Sequence, residues 1–189
     1  ILLTPFNDLY IRDFVLPAGN LREFRYGAKR ADIIVVTKCP EGVSYSKLQK
    51  IQHDIKLQEY QTIYFSKIGY DPFIYGPTEK LPLEYLRDKK FTLVTGIAKP
   101  KPLVDFLESR NCVFDHKKYP DHHDFSDSEV SKLKKNEIIL TTEKDYVRLQ
   151  PKLGKFAVYY LPIKTVILRD QEHFFKQKIQ ENIDRKRFS

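Results

Sequence analysis

The sequence has 189 residues, of which 41% are hydrophobic and 31% are charged, and its formal net charge is +8. This length and balance are typical of a globular protein with one large or two small domains, and they exclude a disordered chain. No apolar run approaches the roughly 18 residues that a membrane-spanning helix needs, and the two cysteines are too widely separated to suggest a disulfide framework or a zinc cage.

The chain opens on an apolar segment, Ile1-Leu2-Leu3, that is typical of the middle of a strand. Because the sequence contains no methionine, we expect it to be part of a longer protein. Further runs with the apolar, β-branched composition of buried strands follow along the chain. They cover residues 33–36, 62–65, 91–97, 137–141 and 156–161.

Helical patterns lie between these predicted strands. Residues 46–57 carry apolar side chains on one face after a cap at Ser44, and residues 101–110 repeat the pattern. Ser126 and Glu129 form a capping box that begins another helix. Strands that alternate with helices at this spacing predict an α/β fold, in which a parallel sheet is flanked by helices on both faces.

Residues 67–83 break this alternation, because prolines and glycines interrupt a series of aromatic residues. We expect an extended arm here that pairs with residues 156–168. The chain ends in an amphipathic helix predicted at 170–183, whose apolar stripe is expected to pack on the core. That stripe consists of Phe174, Phe175, Ile179 and Ile183. The predicted organisation is a first lobe at 1–66, a linker arm at 67–90, a second α/β lobe at 91–156, and a return strand with the last helix at 157–189.

Residues 119–125, YPDHHDF, place two adjacent histidines between acidic residues in a loop that enters a helix. Loops at strand ends are where α/β proteins present functional side chains. Asp121 beside His122 suits a carboxylate-oriented imidazole that transfers protons. A plain polar loop and a zinc site fit the same stretch, so the residues alone leave three interpretations open. The zinc site would use His116, His122 and His123 with Asp115.

The stretch LPAGNLRE (16–23) combines a turn with opposite charges. We expect the turn to enter a helix, where Arg22 would suit a phosphate or carboxylate ligand. An ordinary surface arginine, paired with Glu23 or Asp13, explains the same pattern.

The stretch TTEKD (141–145) ends a buried strand and opens a helix. Thr142 and Asp145 form a variant capping box, for which a structural role is sufficient. Gly96, which follows another predicted strand, permits a tight turn near a possible ligand crevice. The sequence has neither GxxxxGK[ST] nor GxGxxG, so it contains no recognisable phosphate-binding loop.

Taken in order, five stretches resemble the tetraacyldisaccharide 4'-kinase family of the lipid A pathway. They span nearly the whole chain, and their combined order is more specific than any one of them. The five are LPAGNLRE (16–23), KRADIIVVTK (29–38), VTGIAKP (94–100), YPDHHDF (119–125) and LTTEKDYVRL (140–149). The resemblance places the chain after the family's P-loop region, so the chain alone is expected to be inactive.

The resemblance implies a P-loop-kinase-like, Rossmann-like fold with two α/β/α lobes joined by a two-stranded β linker. It implies a peripheral enzyme on the cytoplasmic face of the Gram-negative inner membrane. With ATP and Mg²⁺, the family phosphorylates the 4'-hydroxyl of a tetraacyldisaccharide 1-phosphate and gives lipid IVA. Asp121 and His122 then match the catalytic motif, with His122 as the proton acceptor, while Asn20 and Arg22 match a substrate-binding motif. The nucleotide-binding residues would lie outside this chain, and no metal ligand is expected within it.

Two other functions account for part of the pattern. A basic α/β module that binds nucleic acid would explain the charge but not the motif order, and no helix-turn-helix or RRM signature is present. A metal-dependent hydrolase would use the histidines around residues 116–123. We therefore expect a lipid A disaccharide precursor and an anionic membrane surface as partners, and no nucleic acid.

Overall fold

The computed structural model describes residues 1–187, with side chains described as far as Arg185, so the last two residues of the predicted segment 157–189 lie outside it. The chain forms two compact units. The first contains Ile1–Gly69 together with the residues from Lys164 onward, and the second contains Tyr70–Ile163. Each unit is built around its own sheet.

Strands and helices alternate along most of the chain, as predicted, and every predicted strand run and helical pattern coincides with an element to within a few residues. The strands are β1 (Leu2–Pro5), β2 (Ile33–Thr37), β3 (Thr62–Tyr70), β4 (Phe73–Tyr75), β5 (Lys80–Pro82), β6 (Phe91–Thr95), β7 (Phe114–Lys118), β8 (Ile139–Thr142), β9 (Val158–Leu161) and β10 (Ile163–Ile167). The helices are α1 (Tyr45–Ile55), α2 (Lys101–Ser109), α3 (Asp127–Leu133), α4 (Glu143–Leu153) and α5 (Glu172–Arg187).

The first unit has a four-stranded sheet in the order β1-β2-β3-β10, and its first three strands run parallel. The side chains of β2 alternate between two buried faces, one covered by α1 and the other by α5. Because both faces are buried, the strand is apolar throughout rather than alternating. Helix α1 begins at the predicted cap, where the Ser44 hydroxyl accepts a hydrogen bond from the Lys47 amide at 3.3 Å.

Helix α5 buries only half of its predicted apolar stripe. Phe175 and Ile179 pack on the sheet, and the Phe175 ring meets Tyr64 edge-on with the ring centroids 5.0 Å apart. Phe174 and Ile183 are exposed instead. Adjacent helix positions are about 100° apart, so Phe174 cannot share the sheet-facing side with Phe175. Like every other helix within residues 1–187, α5 is too short or too polar to cross a bilayer.

The second unit has a six-stranded sheet in the order β5-β4-β9-β8-β6-β7. Its β7, β6, β8 and β9 run parallel, and the two strands at the other end run antiparallel. Helix α2 buries Leu103 and Leu107 on one face, while α3 and α4 bury Leu133 and Leu149 on the other. This arrangement confirms the predicted α/β fold with a sheet between two helical layers.

The segment predicted as a linker arm, residues 67–90, lies largely within the second unit. Leu83 and Leu86 are buried in its core, and Tyr75 on β4 pairs with Tyr160 on β9. The predicted pairing with the later strand run is therefore present. The prolines and glycines mark the turns around β4 and β5, and the apolar residues between them are needed to close the core.

Candidate functional site

The parallel strands of the second unit end at one edge of the sheet, and three sequence motifs meet there. β6 ends before Gly96, β7 ends before YPDHHDF (119–125), and β8 ends within TTEKD. The Tyr119 amide donates to the Thr95 carbonyl at 2.7 Å, and the His122 amide donates to the Gly96 carbonyl at 3.3 Å. Ligands of open α/β sheets bind outside the carboxyl ends of the strands. This edge is therefore the candidate site of the second unit.

Asp145 joins the start of α4 to the Gly96 turn. Its side chain is 0% exposed and accepts hydrogen bonds from the Gly96 amide at 2.8 Å and the Thr142 hydroxyl at 2.7 Å. A Cβ at position 96 would lie 2.9 Å from Asp145 Oδ1 and 3.3 Å from the Pro120 carbonyl oxygen, so only glycine fits. The predicted capping box is present as well, because the Asp145 amide donates to Thr142 Oγ1 at 3.2 Å. Asp145 thus fixes the Gly96 turn against the start of α4.

The His122 side chain projects from this edge and is 67% exposed. Its backbone has a φ of 62°, in the left-handed region that costs a non-glycine residue free energy and is often found at functional sites. Two cations of α4 contact its ring: Lys144 Nζ lies 3.1 Å from Nε2, and Arg148 Nη2 lies 3.1 Å from Nδ1. The ring is therefore accessible and is oriented from both sides by α4.

The expected direct hydrogen bond between Asp121 and the His122 ring is absent. The closest approach, from Asp121 Oδ2 to Nε2, is 3.9 Å, which is too long for a hydrogen bond. Lys144 Nζ instead lies between them and donates to Asp121 Oδ1 at 2.8 Å. The ammonium group holds the pKa of Asp121 below its usual value. The carboxylate therefore acts on the imidazole through Lys144, an intermediary that the sequence did not suggest.

The neighbouring histidine, His123, fixes the loop to α3. Its Nε2 lies 3.1 Å from both Glu129 carboxylate oxygens, and its ring stacks on Tyr119 with the centroids 4.8 Å apart. Glu129 also closes the capping box by accepting from the Ser126 amide at 2.8 Å. The Ser126 amide, followed by the His123 ring, lowers the pKa of Glu129 to about 2. The predicted box is confirmed, and it anchors the loop that carries His122.

The lowered pKa of Glu129 predicts an acid-sensitive cap. A carboxyl group whose pKa is lower in the folded state contributes stability above its unfolded value of 4.5, and this contribution is lost as the pH falls toward about 2. Glu129→Gln retains the capping geometry but cannot titrate. We expect the difference in urea midpoint between the wild type and this variant to shrink from pH 6 to pH 2.5. A difference that stays constant over that range would contradict the assignment.

Three cations on one face of α4 hold the loop, and none of them was predicted from the sequence. Lys144, Arg148 and Lys152 are spaced four residues apart, so they project from the same side of a helix. Lys152 Nζ donates to Asp124 Oδ1 at 2.8 Å and to the Phe125 carbonyl. The spacing was readable in the sequence, but the partners of these cations depend on the fold.

The stretch LPAGNLRE is followed by a helix, as predicted, but this is a short 3₁₀ helix, Arg25–Arg30, and it begins three residues beyond Arg22. The Leu16 amide donates to the Leu21 carbonyl at 2.9 Å, and the Leu21 amide donates to the Phe14 carbonyl at 3.0 Å. These bonds close the segment into a tight loop, whose Leu16–Pro17 peptide is cis. Gly19 is required in this loop, since a Cβ there would lie 2.3 Å from Asp13 Oδ1.

The alternative explanation for Arg22, an ion pair with Glu23 or Asp13, is wrong. Glu23 pairs with Arg30, with Arg30 Nη2 2.7 Å from Glu23 Oε1. The Asp13 carboxylate accepts from the Asn20 amide at 3.1 Å, and this bond is the main cause of its lowered pKa. Arg22 is exposed and forms no ion pair with any residue that the structure describes. Asn20 and Arg22 lie in the first unit, whereas Asp121 and His122 lie in the second.

The zinc interpretation finds no support in the geometry. His116 Nε2 lies 2.8 Å from the Thr95 hydroxyl, and His123 is engaged by Glu129. Burial, followed by the nearby Lys118, lowers the pKa of His116. Across residues 1–187, no group of three or more His, Cys, Asp or Glu side chains is arranged to hold a metal ion.

Comparisons with known proteins agree with the motif order. The profile of the family Tetraacyldisaccharide-1-P 4'-kinase matches residues 1–184. The tetraacyldisaccharide 4'-kinase of Flavobacterium johnsoniae is 44% identical, over 97% of this chain and 55% of its own length. That of Flavobacterium psychrophilum is 43% identical, over 95% of this chain and 53% of its own length. The chain therefore spans about half the length of the curated relatives it matches.

A solved structure shares the fold. LpxK from Aquifex aeolicus, determined in complex with ATP, superposes with a TM-score of 0.62 and 23% sequence identity. The match covers 95% of this chain and 51% of that one. The profile covers far more than half of the chain, and the close relatives share one name, so the chain belongs to the tetraacyldisaccharide-1-P 4'-kinase family.

Proposed function

We propose that the protein to which this chain contributes transfers the γ-phosphate of ATP to the 4'-hydroxyl of a tetraacyldisaccharide 1-phosphate, which gives lipid IVA in lipid A biosynthesis. Family membership supports the reaction class. The observation that carries the assignment to this chain is the His122 imidazole, which is exposed at the carboxyl edge of a parallel sheet and is held there by two cations of α4.

His122 is the proton acceptor in this proposal. A sugar hydroxyl is a poor nucleophile at neutral pH, and a positioned base typically contributes about a hundred- to ten-thousand-fold in rate. The neutral imidazole takes the hydroxyl proton as the acceptor oxygen forms its bond to the γ-phosphorus. The bond from that phosphorus to the bridging oxygen then breaks, and ADP leaves. Asp121 supports the ring through Lys144.

ATP and Mg²⁺ are needed for this reaction, but the described residues do not fit them as resident ligands. The chain has no P-loop motif, and residues 1–187 contain no cluster suited to a metal ion. When bound, Mg²⁺ would neutralise charge on the transferring phosphate. We assign no metal ligand to this chain, and we expect the P-loop of the family in the other half of its length.

Arg22 and Asn20 are the proposed substrate-binding residues of the first unit. Arg22 has no internal carboxylate partner among the described residues, so its guanidinium is available to the phosphate or the headgroup of the substrate. The Asn20 backbone is fixed by Asp13. The tight loop thus presents both side chains from a defined backbone.

The segment that follows this loop, residues 24–30, offers a surface suited to an anionic membrane, and we propose a peripheral location on the cytoplasmic face of the inner membrane. Phe24 is 77% exposed and Tyr26 is 73% exposed, beside the cations Arg25 and Lys29. Apolar rings enter the headgroup region, and each nearby cation contributes about 1 kcal/mol of attraction to anionic lipid.

Vesicle binding tests this surface. The complete product of the gene that encodes this chain is expected to co-sediment with vesicles that contain anionic lipid, and to release from them as salt is raised. Replacing Phe24 and Tyr26 with serine should weaken binding, whereas Val147→Ser, at an exposed apolar position in α4, should leave it unchanged. Vesicle binding that does not depend on salt concentration or on anionic lipid content would contradict the proposed location.

Genetic complementation tests the proposed reaction in a cell. The complete gene product should restore the growth of a Gram-negative strain depleted of its own 4'-kinase, and lipid IVA should reappear in lipid extracts. Accumulation of unphosphorylated precursor in spite of normal expression would refute the proposed function.

A further inference from the structure

The contacts of the His122 ring contain a mismatch in hydrogen bonding. Lys and Arg side chains can only donate, and a neutral imidazole has one nitrogen that accepts and one that donates. Both ring nitrogens nevertheless face an obligate donor at 3.1 Å, Lys144 at Nε2 and Arg148 at Nδ1. A neutral His122 can satisfy only one of these contacts at a time, so one cation faces a ring N–H.

The cluster around His122 also carries more positive than negative charge. Asp121 is the carboxylate paired with Lys144. Arg148 forms no ion pair with a carboxylate among residues 1–187, and its remaining contact is to the His123 carbonyl at 3.4 Å. Next along the same helix face, Lys152 is neutralised by Asp124. One positive charge is therefore left without a carboxylate partner at the His122 ring, and none is left at Lys152. An anion is expected to bind at the ring.

We propose that Lys144, Arg148 and His122 form a binding site for a phosphoryl oxyanion, and that Lys144 caps His122 Nε2 until the anion arrives. An oxyanion accepts from both cations, which removes the mismatch at the ring. Lys144 turns toward the anion and leaves Nε2 as a free acceptor for the hydroxyl proton. Lys144 is thus a positioning residue for His122 as well as a ligand of the phosphoryl group.

This inference rests on the proposed function only for the origin of the anion. The phosphoryl group could belong to the nucleotide or to the phosphorylated disaccharide, because both present the same oxygens. The geometry of the cluster itself does not depend on which of them supplies it.

Ring-nitrogen NMR of His122 tests the site without any need for turnover. The 189-residue chain, labelled with ¹⁵N-histidine, is titrated with inorganic phosphate at constant pH and ionic strength. We expect the ring nitrogens of His122 to shift saturably. Lys144→Gln should weaken the apparent affinity by about tenfold, the loss of one charge-assisted contact. Lys155→Gln is the matched control, because it removes the same charge from an exposed lysine just beyond α4 and should leave the titration unchanged.

Two further arms, run on the complete gene product, identify the source of the anion. A non-hydrolysable ATP analogue with Mg²⁺ should shift the ring if the site holds the transferring phosphate, whereas a glucosaminyl 1-phosphate should shift it if the site holds the acceptor's phosphate. The proposal would be overturned if the His122 ring signals responded to none of these probes. It would also be overturned if the ring signals of Lys144→Gln responded as strongly as those of the wild type.

The kinetic readout separates positioning from folding. In the complete gene product, Lys144→Gln should lower kcat more than it raises the KM for ATP, because the capping cation acts on the base. Lys144→Arg should recover part of kcat, since it retains the charge. Loss of kinase activity together with an intact phosphate response would count against the proposed function and not against this site. If the kinase were active but the His122 ring nitrogens did not shift with phosphate, the proposed anion site alone would be wrong.

Discussion

His122→Ala in the complete gene product is expected to lower turnover by about a hundred- to ten-thousand-fold, the usual contribution of a positioned general base. The KM for ATP should stay nearly the same, because the substitution removes the proton acceptor and leaves the cations Lys144 and Arg148 in place. The side chain is 67% exposed, so its removal should not unfold the protein. Steady-state kinetics of phosphate transfer, combined with a urea titration, separate the two effects.

His53→Ala is the control for this experiment. His53 is exposed on α1 in the first unit, whereas His122 lies in the second. Its loss should leave turnover within twofold of the wild type, a change of about 0.4 kcal/mol in the barrier. If His122→Ala were as active as His53→Ala, His122 would have no catalytic role and the proton would have to go elsewhere.

Asp145→Ala should produce the largest loss of stability among the substitutions considered. The carboxylate is 0% exposed and bonds the Gly96 amide and the Thr142 hydroxyl. Its removal leaves a buried donor unsatisfied, which costs about 1–3 kcal/mol. We expect a reduction of that size in the free energy of unfolding, measured by urea denaturation of the 189-residue chain.

Glu143→Ala provides the comparison, because Glu143 lies in the same first turn of α4 but is exposed. It should change the free energy of unfolding by less than about 0.5 kcal/mol, as surface substitutions usually do. Equal effects of the two substitutions would show that Asp145 contributes only its charge near the helix end, and not the buried bonds to the Gly96 turn.

Local patterns predicted the central strands well because both of their faces are covered, whereas the partly exposed edge strand Phe114–Lys118 was not predicted. A strand buried on both sides is apolar throughout, as in Ile33–Thr37, and its residues identify it without knowledge of its neighbours. The caps at Ser44 and Ser126 were also predictable, since a cap satisfies backbone groups within a few residues of itself. The order of the motifs then indicated the family.

The parts that the sequence could not predict depend on contacts between distant residues. No local pattern indicates the backbone bonds that close residues 16–23 into a tight loop before the 3₁₀ helix. Asp121 is adjacent to His122 in sequence, yet Lys144 from another element separates their side chains. Proline and glycine marked 67–90 as irregular, but only the fold shows that Leu83 and Leu86 complete a core.

The most direct measurement is phosphate transfer by the purified complete gene product, with γ-labelled ATP, Mg²⁺ and a tetraacyldisaccharide 1-phosphate, followed by NMR localisation of the new phosphate. We expect one labelled product that carries the phosphate on the 4'-oxygen, at a rate that falls steeply when the exposed imidazole at the sheet edge is removed. ATP hydrolysis without a labelled lipid, or a phosphate at any other position of the sugar, would contradict this expectation.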